Sequence, residues 1–274
     1  MRHKEDYFIS LFQNKHIGDD GAFIKPYVYA SDSFFEGVHF TLDFGSLRAI
    51  ARKSMLVNIS DAIVMNAKVK YILLNCAIPA HYTNEQLKQL AQGFLDTANE
   101  YGAIIIGGDT IQNDKLAITI TTISYCIKPV FRHTIRDGDL IAHTGSLGSV
   151  QRDLRKVLRF NKLGKNSKLI SLKLNPDFFY EASRHIRSAL DISDGLSKEL
   201  HRLSKLGRIG FHFYKPICQQ VSCSGEEYEI LFSFSPQHKQ RFIYLAKKHR
   251  IKLNIFAQAK KYKAFKNPCQ ANHF

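Results

Sequence analysis

The stretch that decides the fold is KYILLNCAIPAHYTNEQLKQLAQGFLDTANEYGAIIIGGDT, residues 70–110. Lys70 to Ile78, with Tyr71, Ile72, Leu73, Leu74 and Ile78, is closed by Pro79 and reads as a strand. From Asn84 to Glu100 the apolar positions Leu87, Leu90, Ala91, Phe94 and Leu95 recur at helical spacing. Thr83 or Asn84 is a suitable N-cap, and Gly102 marks the exit. Ala103 to Ile106 then reads as a short buried strand running into Gly107-Gly108-Asp109-Thr110. Strand, helix and strand in that order are the unit of an α/β layer.

The same alternation extends both ways. Tyr27–Ala30 reads as a strand before Ser31-Asp32, and residues 46–57 as a helix with Ser46 as its cap. Leu116–Ile127 and Leu140–Thr144 read as strands, with a turn at Gly138-Asp139 between them. Beyond it, helices are expected over 147–160, 176–187, Ser197–Leu206 and Gln237–His249. Strands are expected over Ser188–Ile192, Ile209–Tyr214, Tyr228–Phe234 and Ile251–Phe256. The reading is α/β (α+β) in two mixed domains, residues 1–137 and 138–274.

Composition narrows the function. At 274 residues, 45% hydrophobic and 23% charged, the chain can bury a substantial core. No apolar run reaches the ~18 residues of a membrane span, and Met1–Asp6 lacks the apolar core of a signal peptide. The five cysteines, Cys76, Cys126, Cys218, Cys223 and Cys269, form no CxxC pair. The expectation is reduced thiols in the cytoplasm, with neither a disulfide framework nor a zinc site. Residues 1–150 carry 14 Lys/Arg against 15 Asp/Glu, and residues 151–274 carry 25 against 9. A basic half can bind nucleic acid, but no aromatic-and-basic motif accompanies it, so a solvated surface is the simpler reading.

Aspartates carry the chemistry. They occur in Gly18-Asp19-Asp20, Ser31-Asp32, Ser60-Asp61, Gly107-Gly108-Asp109-Thr110 and Asp191-Ile192-Ser193-Asp194-Gly195. Each segment adjoins an apolar run in a loop-like setting, and each alone could be a turn or a helix cap. Together they predict a site where cations neutralise gathered carboxylates. Mg²⁺, which takes a few carboxylates plus water and phosphate oxygens, fits that set. Neither a Walker A loop nor a GxGxxG fingerprint is present.

With Glu36-Gly37-Val38-His39-Phe40, Val57-Asn58-Ile59-Ser60-Asp61 and Gly225-Glu226-Glu227-Tyr228-Glu229-Ile230-Leu231-Phe232, the ordered set resembles thiamine-monophosphate kinase. That family belongs to the superfamily of aminoimidazole ribonucleotide synthetase and selenophosphate synthetase. The resemblance runs from about residue 16 to Asn272-His273-Phe274. It implies phosphorylation of thiamine monophosphate by ATP with Mg²⁺, and a homodimer joined through the first domain's sheet with the nucleotide near that interface. Neither nucleic acid nor membrane is implied as a partner.

By the same resemblance Asp20, Asp32, Asp61 and Asp109 are metal ligands of the first domain, with Ser31 offering a further oxygen. Asp191 and Asp194 are metal ligands of the second. Gly108, Arg132 and Ser193 contact the nucleotide; His39 and Glu226 contact the substrate. Asp109, Asp61 and Asp194 carry catalysis. Glu227 stands where the family usually has Asp, and the segments between Gly195 and Gly225 and between Arg132 and Gly138 are short. Phe265 is one candidate for an aromatic closing the substrate pocket. The alternatives are another ATP-using enzyme of the same superfamily or a basic nucleic-acid-binding protein.

Overall fold

The computed structural model describes residues 4–12, 14–159, 162–261 and 265–269. The C-terminal end of the resemblance at 272–274 lies outside them. The elements in order are α1 (Lys4–Ile9), β1 (Ala22–Ile24), β2 (Tyr27–Phe35), α2 (Leu47–Val64), β3 (Lys68–Pro79), α3 (Asn84–Glu100), β4 (Ile104–Asn113) and β5 (Ala117–Tyr125). The second half adds β6 (Leu140–Thr144), α4 (Ser149–Val157), α5 (Pro176–Ala182), β7 (Ile186–Asp191), α6 (Leu196–Gly207), β8 (Ile209–Phe213), α7 (Gln219–Ser222), β9 (Ile230–Phe234), α8 (Lys239–Lys248) and β10 (Leu253–Lys261).

Two five-stranded sheets result, in the orders β1-β2-β5-β3-β4 and β7-β9-β6-β10-β8. The deciding stretch forms the parallel pair β3–β4, because the α3 crossover returns the chain in the same direction. Thr83 caps α3 through a capping box with Gln86. Every pair in the second sheet is antiparallel.

Helix α2 is the pivot. Ala51, Leu56 and Ile59 on one side of the helix axis and Ile50, Val57 and Val64 on the other are all at most 7% exposed. A helix apolar on all sides belongs inside. It packs on β2, β5 and α3 on one side and on β7 and α5 on the other. One hydrophobic cluster therefore runs from Val28 through α2 to Phe232 and Phe242. Gly93 lets α3 cross close by: a Cβ there would lie 2.3 Å from the Arg48 carbonyl oxygen.

Three expected loop positions are corrected. Asp32 lies inside β2, Asp61 inside α2 and Asp109 inside β4. The helix expected to stop near residue 57 continues to Val64, so Ser60 and Asp61 are not caps. Strand β4, expected short and buried, runs to Asn113 and is largely exposed. Among the described residues, no helix is long and apolar enough to cross a membrane.

Candidate active site

Between the two sheets opens a cleft of about 470 Å³. Helical spacing puts Lys53, Val57 and Asp61 on one stripe of α2, and Val57 and Asp61 line the cleft. Asn58, one turn before Asp61, accepts the backbone N–H of Asp32 at 2.9 Å and so locks β2 to α2. Ser60 donates to Asp191 Oδ2 at 2.7 Å, bringing in the end of β7. Carboxylate oxygens of Asp20, Asp61 and Asp191 lie within 4.8 Å of one another. Three segments about 40 and 130 residues apart thus meet at one point.

Each acid has a distinct environment. Burial pushes Asp61 well above the usual carboxylate range, and neighbouring Asp32 and Asp191 push it further. Burial, then Asp20, does the same to Asp191 despite the Ser60 hydrogen bond. Burial raises Asp32 as well, partly offset by a hydrogen bond with Asp61. Asp20 is held by Arg132 Nε at 3.0 Å and by Nη2, while Asp19 accepts the Arg132 backbone N–H at 2.6 Å. Asp194 behaves oppositely. Burial works against its charge, but Arg202 at 2.6 Å and Lys198 at 2.9 Å override that and hold it below its ordinary value.

The acids fit a hard divalent cation. They are oxygen donors, clustered and only partly neutralised, which is the donor set Mg²⁺ takes.

A second, more apolar cavity of about 370 Å³ adjoins the cleft through His39, Ser193 and Glu226. Val38, Phe40 and Phe44 form one wall. His39 Nδ1 accepts the Phe35 N–H at 3.0 Å, which places the proton of the neutral ring on Nε2. Glu226 is fixed by Lys53 Nζ at 2.9 Å and Tyr228 OH at 3.0 Å. Its backbone φ of 57° is the left-handed conformation, held by its N–H on Ser193 O at 2.6 Å.

Of the residues singled out in the sequence, Asp20, Asp32, Asp61, Asp191, Asp194, Arg132, Ser193, His39 and Glu226 line this cleft. Ser31, Gly108 and Asp109 do not. Register places Ser33, Thr119, Asn75 and Asp109 in one row across the first sheet, on the face turned away from α2. Ser31 shares that face through its hydroxyl contact with Thr121 at 2.9 Å. Gly108 meets a packing constraint: a Cβ there would sit 1.8 Å from Leu74 O on β3.

Residues 18–126 match the family model for the AIR synthase related protein, N-terminal domain. The thiamine-monophosphate kinase of Buchnera aphidicola subsp. Schizaphis graminum is 30% identical over 271 residues, covering 88% of this chain and 83% of that protein. The chain belongs to the thiamine-monophosphate kinase family. Members of that family are phosphotransferases. Among solved structures, AaThiL complexed with AMPPCP and TMP aligns with a TM-score of 0.84 at 19% identity, over 96% of this chain and 94% of that one. The thiamine monophosphate kinase of Aquifex aeolicus aligns at 0.81 with 20% identity, over 95% and 96%. These likenesses show the AIR synthase-like fold.

Against the kinase family pattern, several residues had escaped sequence reading. Lys53 and Tyr228 orient Glu226, and Arg202 with buried Glu199 orients Asp194. Tyr228 stands in the quoted 225–232 segment, but Lys53 is 173 residues from Glu226 and Arg202 eight from Asp194, and no motif marks those two. Glu227 has a structural contact: it accepts the N–H groups of Gly148 and Val150 and caps α4. The expectation of five reduced cysteines is corrected by a Cys223–Cys269 disulfide spanning 46 residues. No local spacing could announce it. It ties the C-terminal segment to the loop packed against Gly195, where a Cβ would lie 3.2 Å from the Cys223 carbonyl carbon.

Proposed function

We propose that the chain transfers the terminal phosphoryl group of ATP to the phosphate of thiamine monophosphate, giving ADP and thiamine diphosphate. The observation that carries this is the convergence of Asp20, Asp61 and Asp191 beside a cavity sized for an aromatic ligand. The acceptor oxygen is anionic at neutral pH, so no strong general base is required, and transfer is direct and in line. The obstacle is repulsion, about 4 kcal/mol per unit-charge pair at ~4 Å and an effective dielectric of ~20.

Several Mg²⁺ ions, held by Asp20, Asp32, Asp61, Asp191 and Asp194, would offset that repulsion and withdraw charge from the transferring oxygens. The protein's own groups do the positioning. Arg132 offers its guanidinium to the nucleotide phosphates, Ser193 lines the same wall, and His39 Nε2–H points its donor to the substrate phosphate. Glu226, where the two cavities meet, faces the cationic thiazolium. A phosphorylated protein detected by mass spectrometry after quenching would refute direct transfer.

We further propose a homodimer through the outward face of the first sheet. Tyr29, Phe35, Tyr71, Ile111 and Tyr125 are each at least 37% exposed there, a large apolar surface to leave in water. Asp109, Gly108 and Ser31 then serve a site completed by the second copy. In this reading residues 1–137 bind ATP and Mg²⁺ and dimerise, residues 138–274 close the cleft, and the reaction is cytoplasmic. A coupled ADP-release assay tests the assignment with thiamine monophosphate, thiamine and aminoimidazole precursors as competing acceptors. Release dependent on an aminoimidazole precursor alone would move the chain to another branch of the superfamily.

A further inference from the structure

Gln151 sits in the first turn of α4 and lines the apolar cavity. Its side-chain Oε1 is buried and has no hydrogen-bond partner among the described residues. Three other atoms share that condition, Tyr82 OH, Thr122 Oγ1 and Ser124 Oγ, and none of their residues lines either cavity. A buried amide oxygen left unpaired is costly, and native structures seldom carry that cost without a use for it.

The position is also rigid. The Gln151 backbone N–H donates to Ser224 Oγ at 3.1 Å, and Ser224 donates to Glu227 Oε1 at 2.7 Å. The same carboxylate holds the first turn of α4 through Gly148 and Val150. The backbone of Gln151 is therefore fixed to the loop that carries Glu226. Around it the cavity is apolar, with Phe40, Phe44, Leu154 and Leu169, and no lysine or arginine lines it. Such a pocket receives a flat, uncharged ring with one polar edge, not a phosphate.

Resting on the reading above, that ring is the aminopyrimidine of thiamine monophosphate. Its exocyclic amine donates and the adjacent ring nitrogen accepts. A primary amide presents an acceptor and a donor side by side, so the two edges pair. We propose that Gln151 recognises the aminopyrimidine edge and sets the preference for substrates that carry the amine.

The test compares thiamine monophosphate with an analogue bearing hydrogen in place of the exocyclic amine. Wild-type protein and Gln151→Leu are assayed for ADP release. Wild type is expected to prefer the natural substrate by about tenfold or more in kcat/KM. In Gln151→Leu that preference collapses to within about twofold, and KM for thiamine monophosphate rises far more than KM for ATP. If Gln151→Leu does not fold, Gln151→Met, of nearly equal length, takes its place. A variant that keeps the wild-type preference overturns the inference alone. Absence of any thiamine monophosphate-dependent release in wild type removes the reading beneath it.

Discussion

Asp61 is the residue on which the site's electrostatics turn, since it is flanked by Asp32 and Asp191 and pushed upward by both burial and their charge. A carboxyl whose folded pKa exceeds its unfolded value binds more protons folded than unfolded. Stability therefore falls as pH rises from the ordinary carboxylate value of ~4 through the raised one. Metal-free protein should lose Tm across that window, and added Mg²⁺ should restore more Tm at neutral pH than at mildly acidic pH. A thermal melt series with and without Mg²⁺ checks both, and equal Mg²⁺ stabilisation at every pH would count against the cluster. Asp61→Asn removes the repulsion, so it should raise Tm without metal. His39→Ala should raise KM for thiamine monophosphate at least several-fold more than KM for ATP in steady-state kinetics, because His39 lines both cavities at their junction. Equal changes would make His39 a structural residue. The acids that line the cleft, Asp20, Asp32, Asp61, Asp191 and Asp194, all stand in segments quoted from the sequence, whereas Asp109 from the same set lies outside it. The cations Lys53 and Arg202 that pair with Glu226 and Asp194 were not legible, because an ion pair 173 residues apart, as for Lys53 and Glu226, leaves no local trace.

At the scale of elements, the alternation of strands and helices was readable from periodicity, and so was Thr83 as one of two candidate caps of α3, which the structure uses in a capping box with Gln86. The extent of α2 was not. Its apolar residues cover every side, so the pattern fades after residue 57 although the helix continues through Asp61. The same packing explains why loops were expected where regular structure carries the acids: tertiary burial fixes Asn58, Ser60 and Asp61 on a helix that propensity alone would end early. The α2–α3 crossing gives a prediction of its own. Gly93→Ala should destabilise the fold by about 1–3 kcal/mol, because its Cβ would meet the Arg48 carbonyl and the Ala51 side chain. Denaturant unfolding measures it, and an unchanged midpoint would show that the helices can part without cost.

For the whole molecule, two sheets share one continuous core through α2, and the outward face of the first remains uncovered in the single chain. If that face joins two copies, Tyr71→Arg combined with Ile111→Glu should convert a dimer to a monomer in analytical ultracentrifugation. Turnover should fall with it, because Asp109 lies on the same face. Thiol titration tests the C-terminal tether: Cys76, Cys126 and Cys218 are free, so unfolded but unreduced protein should give three equivalents and reduced protein five. The most direct test of the convergent aspartates is ADP release with thiamine monophosphate as acceptor, measured across a Mg²⁺ titration for wild type and Asp61→Asn. The account predicts Mg²⁺-dependent turnover in wild type and a loss of about a thousandfold or more in the folded variant. A folded Asp61→Asn protein that turns over within twofold of wild type would contradict it.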